Sequence, residues 1–264
     1  MARRLAGKSA IITGGGDGIG QGLVRRFAAE GARILVAEIN PETGAQTAAA
    51  AARDFNAEVV FRQVDVTKQE EVEAMVADAS ARWGGCDILI NNAWGGGNIK
   101  RIENKTAADM THGITMGFYA AMWAMLACFP YMKGAGWGRI VNMCSLNGVN
   151  AHVGSADYNS GREALRAYTR SAAREWAPLG ITCNVICPGA ASAAYRRFKA
   201  ENPETAAAMA KMNPMGRVGD PEADIAPVAL FLSSDDSRYI TGNTIFAGGG
   251  SHINGVPWAP DLPD

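Results

Sequence analysis

Tyr158 and Arg162, four positions apart in "YNSGR", and Ser145 upstream bring together a phenol, a fixed cation and a hydroxyl. On a helix, residues four apart project from nearly the same face, so the guanidinium would lie beside the phenol. A tyrosine can pass a proton to or from a substrate oxygen, yet a phenol's reference pKa near 10 leaves little phenolate at neutral pH. Bringing a phenol down to about 7 takes roughly 4 kcal/mol. One positive charge about 4 Å away, at an effective dielectric near 20, supplies about that much. Ser145 would donate to the substrate oxygen and fix its geometry as a preorganised polarising group. The set suits acid–base work at an oxygen atom.

Such a set needs a scaffold. Apolar strand-like runs ("SAIIT", "ARILVAE", "AEVVFRQVDV", "CDILIN", "GRIVNMCS", "ITCNVICPG" and "NTIFAGG") alternate with helix-like periods. Helices are expected over 18–30, from an Asn40-Pro41 start, and over 68–83, 107–132, 155–177 and 220–233. The alternation predicts an α/β chain, a doubly wound parallel sheet with helices on both faces, in a single domain over 1–264. Between the first strand and helix, "TGGGDGIG" places Gly14, Gly18 and Gly20 where backbone can approach a diphosphate at a helix N-terminus. Glu38 closes the second strand. A carboxylate there accepts from both adenine-ribose hydroxyls and repels a 2′-phosphate. Neither Ala37 nor Ile39 offers a cation, so NAD(H) is expected over NADP(H).

In order, "TGGGDGIG", Asp65 in "VDV", "NNAW" at 91–94, Ser145, Tyr158 and Pro188-Gly189 resemble the short-chain dehydrogenase/reductase family, classical type. The resemblance covers nearly the whole chain, and "GRVGDPEADIAPVALFLSSDDSRYITGNTI" looks like the family's closing helix and strand. It implies a Rossmann-type fold and hydride exchange between a nicotinamide cofactor and a secondary alcohol or ketone. Ser145, Tyr158 and Arg162 would then be catalytic. Cofactor contacts would fall at Gly14, Asp17, Gly18, Ile19, Gly20, Glu38, Asp65, Val66, Asn92, Ala93, Tyr158, Arg162, Pro188 and Gly189. Asp65 and Asn91 would border the adenosine half, and Pro188-Gly189 would shape the nicotinamide pocket.

Three positions depart from the pattern. Trp94 stands where a glycine normally ends "NNAG". No asparagine lies from Thr106 to Tyr131, where the family supplies one at about Gly117. Arg162 replaces a lysine. Arginine cannot give up its proton in a protein, so redox chemistry is expected with an altered proton path. A Ser-Tyr-Arg set also resembles the halohydrin dehalogenases, non-redox relatives with a halide site in place of the nicotinamide pocket. The intact Gly-rich turn and Pro188-Gly189 count against them. A cofactor-binding homologue without turnover is a third reading, resting on the changes at Gly117 and Arg162.

Substrate contacts are expected beyond the strand ends, at Trp94, Leu146 and His152, and at Tyr195 on a lid over about 190–215. The lid carries Tyr195, Phe198, Met209, Met212 and Met215 and reads as helical with an apolar underside. With Trp94 it points to a bulky hydrophobic small molecule, alicyclic, aromatic or steroid-like. By the resemblance, the helices around 107–132 and 156–177 pack against neighbouring subunits, implying a homotetramer. The tail over 251–264, with Pro257, Pro260, Pro263 and Trp258, is expected to be an extended arm.

Composition narrows the classes. With 264 residues, 48% of them apolar, the chain can build a sizeable core, and a net charge of −1 argues against nucleic acid or anionic membrane as main partner. No run reaches about 18 uninterrupted apolar residues and no secretory apolar region follows the N-terminus, so a cytoplasmic protein without a membrane span is expected. The five scattered cysteines (Cys86, Cys128, Cys144, Cys183, Cys187) lack metal-binding spacing and read as buried thiols. No metal site is expected.

Overall fold

Alternate residues along each strand point to opposite faces, and here both faces are apolar. Ile11, Leu35, Leu89, Ile140 and Cys183 enter one buried cluster. Their neighbours Ile12, Ile34, Val36, Ile88, Ile90, Val141 and Ile186 enter the other. A strand buried on both sides belongs in a parallel sheet covered by helices. The computed structural model, which describes residues 3–253, shows that arrangement. Strands Ser9–Thr13 (β1), Arg33–Glu38 (β2), Val59–Gln63 (β3), Ile88–Asn91 (β4), Gly138–Met143 (β5), Ile181–Pro188 (β6) and Thr244–Ala247 (β7) form one sheet. All pairings are parallel, in the order β3-β2-β1-β4-β5-β6-β7.

Helices Gly18–Ala29 (α1), Pro41–Phe55 (α2) and Ala226–Leu232 cover one face; Gln69–Trp83 (α3) and two long helices cover the other. The first of the long pair is continuous over Ala107–Ala135. It runs as Ala107–Ile114 (α4), a π-helical turn over Thr115–Tyr119, and Ala120–Ala135 (α5). A short helix, Leu146–Val149 (α6), leads to the second, Ala156–Trp176 (α7). The lid folds as Ala193–Glu201 (α8) and Pro203–Lys211 (α9), and Ala226–Leu232 is α10.

Local chemistry explains the boundaries. The Asn40 side chain accepts from Glu42 and Thr43 amides and Pro41 opens α2, as expected. Thr106 and Asp109 form a reciprocal capping box that starts α4. The Ala107–Ala135 helix is long and apolar enough, at mean hydropathy 1.3, to cross a bilayer by composition. Its inner residues, Met116 to Met132, instead enter the core beside α3 and α7.

One expectation is corrected. Met209, Met212 and Met215 are 49%, 65% and 69% exposed, so they do not form an apolar underside to the lid. The short α9 turns its alanine side inward, and Ala206 is its buried residue. Of the expected C-terminal arm, 254–264 lie outside the described residues. Ser251–Ile253 form a turn, with the His252 ring stacked on Phe246 at 4.8 Å.

Candidate active site

Strand order reverses between β1 and β4, and a crevice opens beyond their carboxyl ends. The Gly-rich turn sits there. Gly14 and Gly18 have φ of +63° and +55°, a region that only glycine enters freely. Asn92 braces the turn by donating its side-chain amide to the Thr13 and Gly14 carbonyls, each at 3.0 Å. Thr13 Oγ1 accepts from the amides of Asn92 and Ala93 at 3.0 and 3.1 Å. Asp17 caps α1 by accepting from the Gly18 amide at 2.7 Å. The next first-turn amides, those of Ile19 and Gly20, have no intrahelical acceptor and suit a diphosphate.

Glu38 lies against this turn. One carboxylate oxygen accepts from the Gly16 amide at 3.1 Å, the other from Ile39 and Asn40 at 2.9 and 3.2 Å. A dinucleotide's diphosphate and adenine ribose therefore meet fitting donors and acceptors. Asp65 follows β3 in a turn, where the Thr67 hydroxyl and then its amide hold the carboxyl below the usual carboxylate range. Val66 is buried beside it. The Asn91 side chain turns inward and donates to Asn142 Oδ1 at 2.8 Å, in a network continuing to Thr169. Buried amides need partners, and the inner strand ends supply them. Pro188 ends β6, and Gly189 bonds to Ala247 and Gly219.

The expected catalytic residues converge on the ends of β4 and β5. Ser145, two residues beyond the end of β5, caps α6. Its Oγ accepts from the Asn147 amide at 3.1 Å, which leaves the hydroxyl proton free to donate outward. Tyr158 and Arg162 lie on α7, with the Arg162 guanidinium carbon 5.5 Å from the phenol ring centre. Arg162 is 4% exposed. Its fork donates to the Met143 carbonyl at 2.8 Å and the Ala93 carbonyl at 3.2 Å, joining the two strand ends. Its Nε–H has no partner among the described residues.

Trp94 covers this cation at 5.2 Å and meets the Tyr158 ring edge-on, with centroids 4.5 Å apart. The thiol beside the site is inert. Burial pushes Cys144 up to about 12.

Gly117, where the family resemblance leads one to expect an asparagine, has no room for a side chain. A Cβ at Gly117 would stand 2.8 Å from Gly161 Cα and 2.9 Å from its carbonyl carbon. Backbone meets backbone there, and no side chain fits.

Of the expected substrate residues, Trp94 and Leu146 are half-buried near Tyr158, and Tyr195 is half-buried on α8. His152 is exposed on its loop and pairs with Ser155 Oγ at 3.2 Å. Sequence reasoning missed three features. Arg196 on α8 pairs with Asp17, tying the lid to the Gly-rich turn. Lys105 and Asp157, both buried, pair at 2.5 Å. His112 approaches Trp94 at 6.3 Å. Asp157 adjoins Tyr158, which was the one available signal.

Comparison with known proteins follows the same lines. A family model described as enoyl-(acyl carrier protein) reductase matches residues 14–252. A 12alpha-hydroxysteroid dehydrogenase of a Clostridium species is 36% identical over 250 residues, covering 92% of this chain and 96% of its own. A 2,5-dichloro-2,5-cyclohexadiene-1,4-diol dehydrogenase of Sphingobium indicum is 35% identical over 256 residues, covering 95% and 98%. The crystal structure of levodione reductase superposes with TM-score 0.89 at 28% identity, covering 95% of this chain and 99% of that one.

Proposed function

The chain belongs to the short-chain dehydrogenase/reductase family, and from that premise we propose that it interconverts a cyclic secondary alcohol and its ketone with NAD(H). The cyclic substrate class is supported by the hydroxysteroid and cyclohexadiene-diol dehydrogenases among its relatives. One observation carries the reading. A buried guanidinium, fixed on two strand-end carbonyls, lies beside Tyr158 in the crevice where the Gly-rich turn and Glu38 stand.

When bound, a nicotinamide cofactor would supply or accept the hydride at the substrate carbon. Ser145 donates to the substrate oxygen and holds it toward the phenol. In the oxidative direction, Tyr158 as phenolate takes the hydroxyl proton as the hydride leaves, and the ketone forms. Arg162 stands beside the phenol as a fixed cation and keeps its own protons. The proton must therefore leave Tyr158 to solvent. Ile19 and Gly20 amides would hold the diphosphate, and Glu38 the adenine ribose.

The test is NAD-dependent oxidation across a panel of cyclic secondary alcohols. Tyr158→Phe should lower kcat by at least about 100-fold. Arg162→Lys should shift a limb of the pH–rate profile while activity persists. Failure of the folded protein to take up either dinucleotide in calorimetry would overturn the reading.

A further inference from the structure

Beside Trp94 lies a recess of about 350 Å³, lined by Gly96, Gly97, Asn98, Asp109, His112 and Asp157. That volume falls in the range of small-molecule sites. It is open because two of its walls lack side chains. A Cβ at Gly96 would stand 2.5 Å from His112 Nε2, and one at Gly97 would stand 3.4 Å from Trp94 Cζ2. Trp94 meets the Tyr158 ring, and its Cζ2 lies 3.4 Å from the Cβ position of the lining residue Gly97, so the indole stands between Tyr158 and that side of the recess.

The polar groups of the recess are selective. The Asp157 side chain is 3% exposed, and its Oδ1 accepts from Lys105 Nζ at 2.5 Å. Lys105, 2% exposed at its side chain, also donates to the Asn98 carbonyl. Asp157 Oδ2 accepts no hydrogen bond among the described residues, and the Gly97 Cβ position lies 3.7 Å from it. That oxygen is not fully enclosed, so it opens on the recess and can accept from a donor placed there. Charge is already balanced: Asp109 pairs with Lys100 at 2.9 Å, as Asp157 does with Lys105. His112 Nε2 is engaged with the Gly95 carbonyl at 2.8 Å. Two carboxylates neutralised by two ammonium groups give no preference for a cation. They favour a neutral donor.

We propose that this recess is a subsite for a hydroxyl-bearing ring of the substrate, the hydroxyl donating to Asp157 Oδ2. The inference rests on the alcohol–ketone reading only for which end of the molecule reacts.

Binding tests it without turnover. The chain has three histidines, so the His112 imidazole resonances can be identified by nuclear magnetic resonance with His112→Gln. The probes are cis-1,4-cyclohexanediol and cyclohexanol. The diol should shift the His112 signals saturably, and cyclohexanol should need at least tenfold higher concentration. Ala108→Phe, on the exposed outer lip, should plug the recess and abolish the response without touching the buried ion pair. Asp157→Asn, if it folds, should remove the preference for the diol. No saturable shift, equal response to both probes, or an unchanged response in Ala108→Phe overturns the subsite. Those outcomes leave oxidation of simple alcohols unaffected, whereas diol binding without any turnover would sink only the oxidoreductase reading.

Discussion

An arginine at position 162 has to be satisfied differently from a lysine, because its planar fork carries five donors in fixed directions. Two of them hold the Met143 and Ala93 carbonyls, which makes the guanidinium a clasp between β4 and β5 as well as a charge beside Tyr158. Three-donor ammonium on a flexible stem would lack that geometry. Glu38 shows the same double use. Its carboxylate braces the Gly16 amide and the start of the next turn while standing where the adenine ribose is proposed to lie. A 2′-phosphate brought there meets a carboxylate already held in place. Glu38→Ser should therefore improve NADP(H) relative to NAD(H) by at least tenfold in Kd, as measured by calorimetry. It should also lower stability by about 1 kcal/mol through the lost amide partners. Unchanged discrimination would remove Glu38 from cofactor choice.

At the scale of elements, the decisive contact is the crossing of the α4–α5 helix over α7. Gly113, Gly117 and Gly161 let the two backbones touch. A Cβ at Gly161 would lie 2.3 Å from the Gly113 carbonyl oxygen, and one at Gly113 would lie 2.6 Å from the Asp157 carbonyl. The π turn over Thr115–Tyr119 lies directly against this crossing. Gly161→Ala should cost roughly 2–3 kcal/mol in urea unfolding, since overpacking here pushes backbone rather than side chain. Gly117→Asn, which adds the amide that the family pattern leads one to expect, should likewise destabilise and not raise activity.

This crossing also marks what was legible in sequence. Strand–helix alternation and the Gly-rich turn have local periods, so they and the seven-stranded sheet could be read directly. That no asparagine lies near Gly117 was visible too, but the contact of Gly117 with Gly161 was not, because no local pattern encodes it. Lys105–Asp157, with a separation of 52 residues, was hidden for the same reason. The lid adds a pH-dependent anchor. The Arg217 side chain holds the Asp224 carboxyl down at about 2, tying the end of the lid to the turn before α10. A carboxyl lowered on folding stabilises above its ordinary value near 4, and that contribution fades as pH falls toward 2. Acid-protease cleavage within 190–215 should rise across that window, and Arg217→Gln should flatten the dependence.

For the whole molecule, the Ala107–Ala135 helix poses the remaining question. One side is committed to the core, yet Tyr119, Leu126 and Tyr131 stay 41%, 48% and 37% exposed along the other. Trp123 stacks on Tyr119 at 5.9 Å and extends this surface. Bilayer insertion would tear Met125, Cys128 and Met132 out of the core, where each is fully buried. Self-association covers the outer strip without that loss, and apolar strips of this kind mark interfaces. Closed symmetric assemblies bring identical patches together, so one substitution acts on both sides of such a contact. Leu126→Glu then places two carboxylates in a dry interface, with far stronger effect than at a solvated surface. Light scattering should give a multimer, a tetramer by family resemblance, for the native chain and a smaller species for Leu126→Glu with an unchanged circular dichroism spectrum. A native mass of about 27.8 kDa, that of one chain, would refute the interface.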